Sequence, residues 1–258
     1  MSKDASLRSV LRVPAGPVSV AGFDAGAKPL APDGKAMARA AEVLSDLQDR
    51  LWAESTQGGT RRVLLVLQGM DTAGKGGVVT HAVGVFGPIG IEYTAFKKPT
   101  EEELAHDFLW RIRKRLPRPG MIGVFDRSHY EDVLVVRVHQ LVPQSEWETR
   151  YDTINAFEQE LADGGTTVLK VFLNVSYDMQ RERLLARLDR PDKHWKFNEG
   201  DIDERARWDD YQAAYGAVLE RTSTDVAPWY VVPADHKSYR NWAVAQLLRE
   251  TLEELDPQ

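Results

Sequence analysis

The chain has 258 residues, 43% of them hydrophobic and 28% charged, with a formal net charge of -6, the composition of a soluble protein with room for one full α/β core. An acidic balance argues against general nucleic-acid binding, and the absence of cysteine excludes disulfides, thiolate nucleophiles and cysteine-ligated metals. The N-terminal MSKDASLRSVLRVPAGPVSV lacks the apolar core of a signal peptide and no run approaches a membrane span, so a cytoplasmic protein without a membrane partner is expected.

Residues 1–35, rich in Gly, Pro, Ala and Ser, read as an extended arm, and 36–258 as one domain. A helix is expected at about 36–54, with Ala40, Val43, Leu44, Leu47, Leu51 and Trp52 on one stripe. After a turn at 55–59 comes the apolar run Val63–Leu67, then a helix at about 75–86, a strand near 91–96 and a helix at 101–116. A strand at 121–125 ends on Asp126, and helix 145–162 precedes a strand at 166–175. Two polar helical stretches, 177–189 and 201–221, lead to a strand at 229–233 and a closing helix at 238–254. Strands alternating with helices imply a parallel, doubly wound sheet between helix layers, a three-layer α/β sandwich.

The run Val63–Leu67 enters Gly69-Met70-Asp71-Thr72-Ala73-Gly74-Lys75-Gly76-Gly77, which has the G-x4-G-K spacing of a phosphate-cradling loop. Glycines let successive N–H groups turn inward, Lys75 adds a mobile positive charge, and the following helix aims its positive end at the same anion. Gly76 stands where a Ser or Thr hydroxyl ordinarily helps to hold Mg2+, and Asp71 places a carboxylate inside the loop instead.

Met121–Asp126 is a short apolar strand ending in an acid, and strand C-termini open onto the ligand crevice of a parallel sheet. Asp126 is therefore expected to share a Mg2+ site with Asp71, Mn2+ being a substitute. Phosphoryl transfer needs positioning and charge neutralisation more than a base, so His129 is read as structural. The six histidines show no zinc spacing. Two basic segments flank the loop: Lys97, Lys98 and Arg111 to Arg118, then Arg181 to Lys196. In the second, Arg183, Arg187 and Arg190 share a helical face in a stretch poor in acids, and a lid at about 176–200 closing arginines onto a phosphoryl group is expected.

Gly69–Gly77, Lys98–Leu104, Phe125–Val133 and Trp195-Lys196-Phe197 occur in the order that resembles the polyphosphate kinase 2 family. Thr222–Ala234 and Tyr239–Trp242 extend that resemblance over about 36–255. It implies a thymidylate-kinase-like P-loop kinase fold, a homo-oligomer (dimer or tetramer), and Mg2+-dependent, reversible transfer of a terminal phosphoryl group between inorganic polyphosphate and nucleoside mono- or diphosphates. It further implies Asp71, Lys75, Asp126, Arg127 and Glu131 as catalytic residues. Gly69, Met70, Thr72, Ala73, Gly74, Gly76, Gly77, Lys97, Lys98, Arg111, Arg183 and Arg187 are expected to bind phosphate or nucleotide. The 129–132 run resembles the class III subgroup, which accepts both mono- and diphosphates, whereas Gly-Lys-Gly-Gly resembles the subgroup acting on diphosphates. Asp126 also stands where class III often has Asn, so the preference between AMP and ADP stays open. The rivals are an ATP-dependent nucleoside or nucleotide kinase and a non-catalytic polyphosphate- or nucleotide-binding protein.

Overall fold

The computed structural model describes residues 6–258. A short helix α1 (Leu7–Leu11) and the long α2 (Ala36–Thr56) precede β1 (Arg62–Gln68), α3 (Lys75–His81) and β2 (Ile91–Ala95). Single-turn helices α4 (Glu101–Leu104) and α5 (Trp110–Arg113) lead to β3 (Ile122–Asp126), followed by α6 (Val135–Val138), α7 (Gln144–Trp147), α8 (Arg150–Asp163) and β4 (Thr166–Asn174). Then come α9 (Tyr177–Asp189), α10 (Gly200–Ala206), α11 (Trp208–Thr222), β5 (Trp229–Pro233) and α12 (Lys237–Leu255).

The five strands form one sheet of order β2-β3-β1-β4-β5, parallel throughout. Val63 to Leu67 of β1 are completely buried, as a central strand covered on both faces requires, which is why this stretch reads as a continuous apolar run. One helix layer joins α12 to α2 and α3; the other joins α8 to α11, with α8 lying on β4. Leu67 pairs with Asp126 across β1 and β3. The glycine loop and Asp126 therefore emerge side by side, at the edge where the chain switches from one half of the sheet to the other.

One charged group interrupts the core. Lys170 of β4 is fully buried, and its Nζ donates to Glu158 Oε2 (2.5 Å), Tyr130 Oη (2.9 Å) and the Thr222 carbonyl (2.6 Å). Tyr130 Oη donates to Glu158 Oε1 at 2.7 Å, and His129 Nε2 lies 3.3 Å from the same oxygen. Burial pushes the Lys170 ammonium and the His129 imidazole below their usual pKa. Burial works against the Glu158 carboxylate as well, but Lys170 and His129 hold its pKa below the usual value. His129 is thus a buried member of this network.

Several sequence expectations change: the helices expected at 145–162 and 201–221 are each split in two, at 148–149 and at Arg207, and the one expected at 75–86 ends at His81. Residues 1–5 of the expected arm lie outside the described residues, and from residue 6 the segment is packed on the domain. Leu7, Leu11 and Val13 are buried, the Leu7 and Arg8 amides donate to the Glu250 carboxylate at 3.0 Å, and Val13 N donates to the Trp229 carbonyl at 2.9 Å. The helix expected at 101–116 is two single turns. Thr100 and Glu103 form a capping box on the first, and Asp107 starts the second by accepting from Leu109 N at 3.0 Å. Trp52, placed on the buried stripe of α2, is 44% exposed while Leu44, Leu47 and Leu51 are buried. No helix among the described residues is long and apolar enough to cross a membrane.

Candidate active site

The loop after β1 closes through residues with positive φ. Gly69 has φ +154°, and a Cβ there would come within 2.8 Å of the Leu173 carbonyl on β4. Gly74 has φ +107°, and a Cβ there would meet Arg240 Nη1 at 1.8 Å. Thr72, at φ 66°, takes a left-handed conformation that costs an L residue free energy. Lys75 Nζ donates back to the Gly69 carbonyl at 2.6 Å, a contact it can exchange for phosphate oxygen. α3 begins at Lys75, and Gly76 has open space around it.

Two arginines, Arg240 buried and Arg183 half-buried, hold the loop. Arg240 Nη1 donates to the Ala73 carbonyl (3.1 Å), and Arg183 Nη1 donates to the Thr72 carbonyl (2.9 Å). Arg183 Nη2 also donates to the carbonyls of Ala234 (2.6 Å) and Asp235 (2.8 Å), joining the loop to the β5–α12 turn. With the carbonyls drawn outward, the loop's N–H groups are left for an anion. Burial and the nearby Arg183 lower the Arg240 pKa to about 10, and burial lowers that of Arg183.

At the end of β3, Tyr93 Oη donates to Asp126 Oδ2 at 3.4 Å, and Arg127 takes φ 64°. Arg127 Nη2 donates to Asp71 Oδ1 at 3.2 Å. Burial works against the Arg127 charge, but Glu131 and Asp71 more than offset it and raise its pKa. Burial pushes the Glu131 carboxyl up, with Arg127 and Lys75 pulling the other way.

These groups border two cavities. One, of about 500 Å3, is basic: Lys75, Arg127, Arg183, Arg187, Lys193, Lys196, Lys237 and Arg240 line it, together with Gly74, Gly76, Gly77, Asp71 and Asp126. The other, of about 280 Å3, is acidic and partly aromatic: Asp71, Glu131, Asp201, Glu204, Tyr211 and Tyr215 line it, with Gly69, Met70 and Arg127. Asp71 and Arg127 belong to both. The stretch from α9 to α10 lines both, with α9 and the 191–196 turn on the basic side and Gln180 of α9 and the start of α10 on the acidic side.

Several expected ligands are engaged elsewhere. Arg111 is buried, donating to Glu103 Oε2 (3.0 Å) and the Lys97 carbonyl (2.9 Å) over the Phe96 ring. Arg111, Lys97 and Lys98 line neither cavity, the two lysines being exposed beyond β2. Arg183, expected as a lid ligand, instead spends its terminal nitrogens on carbonyls. Sequence reasoning missed Lys237 and Arg240. Their position just beyond β5, at the ligand edge of a parallel sheet, was the available signal. It also missed Asp201 and Glu204, whose charges look like ordinary helix solvation. Burial and the nearby Arg183, Lys193 and Arg240 lower the Lys237 pKa, the effect of several positive charges gathered on one patch.

The donor set suits a hard cation that keeps much of its own water. Asp71 and Asp126 are two carboxylates on one cavity, and no group of three or more His, Asp or Glu side chains forms a metal cage among the described residues. Mg2+ is ordinarily held in this way, by one or two carboxylates plus substrate phosphate.

Residues 33–258 match the family described as Polyphosphate kinase 2. The chain is 52% identical over 212 residues to the AMP/ADP-polyphosphate phosphotransferase of Meiothermus ruber, covering 82% of this chain and 78% of the relative. It is 46% identical over 226 residues to the ADP-polyphosphate phosphotransferase of Rhodopseudomonas palustris, covering 83% and 77%. Its structure is similar to the crystal structure of polyphosphate kinase 2 from Arthrobacter aurescens TC1, with TM-score 0.95 and 51% identity over 100% of this chain and 93% of that one.

Proposed function

The chain belongs to the polyphosphate kinase 2 family and is a polyphosphate:nucleotide phosphotransferase with a P-loop kinase fold, and we propose that its two cavities divide the reaction between them. The basic cavity takes the polyphosphate donor, with the loop amides, Lys75 and the lid cations along the chain. The acidic cavity takes the acceptor, AMP or ADP, with its phosphate end toward Arg127. The observation that carries this reading is that two cavities of opposite charge meet at Asp71 and Arg127.

A dense polyanion needs a line of cations, and the basic wall supplies one while the chain as a whole stays acidic. An anionic phosphate oxygen of the acceptor attacks the terminal phosphorus of the donor. The anhydride bond to the rest of the chain breaks, and polyphosphate leaves one unit shorter. The attacking oxygen carries no proton to remove, so no base is required, in keeping with the burial of His129. Lys75 leaves the Gly69 carbonyl for the phosphate, and Arg127 balances charge between the two substrates. Mg2+, or Mn2+ in its place, would be held by Asp71 and Asp126 and would neutralise phosphoryl charge. Anhydrides on both sides make the transfer reversible. A cytoplasmic setting and a homo-oligomer, dimer or tetramer, complete the proposal; light scattering on the purified chain tests the latter.

The test is a matrix of AMP, ADP, GMP and GDP against polyphosphate with Mg2+ and no ATP. Product from AMP and from ADP is expected, the breadth printed in the name of the Meiothermus ruber relative. Product that forms only when ATP is the donor would favour the nucleotide-kinase rival.

A further inference from the structure

Arg187 is a lid arginine on the basic cavity, and one of its nitrogens is already taken. Nη1 donates to Asp201 Oδ2 at 2.5 Å and to the Lys196 carbonyl at 3.1 Å. A single guanidinium thereby ties α9, the 191–196 turn and α10 together. The two side chains are only 20% and 13% exposed, so solvent weakens the pair less than it does an open surface bridge. Nη2 and Nε of Arg187 have no protein partner among the described residues, and that edge can present the parallel N–H pair that phosphate oxygens accept. The pair also crosses the boundary between the cavities, since Arg187 lines the basic one and Asp201 the acidic one.

Resting on the proposed phosphoryl transfer, we propose that Asp201 is a positioning residue that holds Arg187 by Nη1 and presents its remaining edge to the donor phosphates. A free arginine spreads over many rotamers and must be ordered when the donor binds; one fixed beforehand loses less on binding. The opposite expectation has equal standing in electrostatics. A carboxylate near the site repels a polyanion, and burial together with the nearby Asp71 already raises the Asp201 pKa against the pull of Arg187. Repulsion would make removal of the charge favourable whether or not Arg187 is present. Positioning would make removal harmful only when Arg187 is there to be positioned.

The experiment compares Asp201→Asn, Arg187→Gln and the double variant, with Asp203→Asn as a charge control on an exposed acid of the same helix. Readouts are kcat and KM for polyphosphate at saturating ADP, KM for ADP, melting temperature, and polyphosphate affinity from the fluorescence of the exposed lid residue Trp195. Asp201→Asn is expected to lower kcat/KM for polyphosphate about tenfold, the size of a direct pairwise coupling. Because Asp201 also lines the acceptor cavity, KM for ADP should change as well but by less than KM for polyphosphate; Asp203→Asn should match the wild type, and the double variant should be no worse than Arg187→Gln in kcat/KM for polyphosphate. Asp201→Glu, which keeps the carboxylate, should recover part of the loss. An Asp201→Asn protein that equals or exceeds the wild type overturns the proposal, and so does an undiminished loss in the Arg187→Gln background. If the wild type forms no product from polyphosphate, the functional reading fails. The affinity comparison then still decides the role of Asp201.

Discussion

Alanine at Gly74 and alanine at Gly76 are expected to have opposite effects. Gly74 sits at φ +107°, and its added Cβ would fall 1.8 Å from Arg240 Nη1 and 2.4 Å from Cζ. The backbone conformation alone costs an L residue about 1–3 kcal/mol. Displacing Arg240 also breaks its 3.1 Å bond to the Ala73 carbonyl, and a hydrogen bond from a charged group contributes about 1.5–3 kcal/mol. Together these lower stability by about 2.5–6 kcal/mol, which at about 2–4 °C per kcal/mol for a chain of this size is a fall of roughly 5–24 °C in melting temperature. A loop displaced by about 1 Å also loses activity by about a hundredfold. Gly76 lies in the first turn of α3, at no positive φ and with nothing near its missing Cβ. Alanine there should raise stability by about 0.5–1 kcal/mol through helix propensity. Differential scanning calorimetry and polyphosphate-dependent ATP formation read both effects. If Gly74→Ala melts within about 2 °C of the wild type and turns over normally, the packing of Arg240 against the loop has been misjudged.

Lys75→Ala should remain folded, since its ammonium makes one hydrogen bond back to the loop, and should lose at least about a hundredfold in activity, or ~3 kcal/mol of transition-state stabilisation; near-normal turnover would remove the loop from the reaction. Asp71→Asn and Asp126→Asn should each shift the Mg2+ titration of the rate to higher concentration, because Gly76 brings no hydroxyl to share the load; an unchanged titration in both would refute the metal pair. Lys170→Met strands the buried Glu158 charge and should cost about 3–5 kcal/mol in denaturant unfolding, part of which Glu158→Gln recovers in the double variant. A single variant as stable as the wild type would mean that the pair is not charged.

Much of the fold was legible because the sheet is parallel and buried on both faces: Val63–Leu67, Met121–Asp126 and Thr166–Asn174 stand out as apolar runs between amphipathic helices. The loop was legible for a local reason, since its glycines and lysine lie within nine residues. What escaped depends on distant partners. Arg183 meets the Thr72 carbonyl across 111 positions and Arg240 meets Ala73 across 167, and no local spacing announces either contact. Arg111 looked like part of a phosphate-binding cluster because a basic run says nothing about which member turns inward to Glu103. The break at 105–109 had a local cue, Asp107 at the start of a new turn, which the helical periodicity of the flanks obscured. Lys170 gave no hint of its partner, because an isolated lysine in an apolar strand reads equally well as an edge position.

The most direct test is to supply radiolabelled polyphosphate and unlabelled ADP with Mg2+ and to follow where the label goes in the absence of ATP. Transfer at the junction of the two cavities requires the label to appear in the terminal phosphate of newly formed ATP, and Lys75→Ala to abolish its appearance. Label that remains in polyphosphate, or that is released only as orthophosphate, would contradict direct transfer between the two substrates.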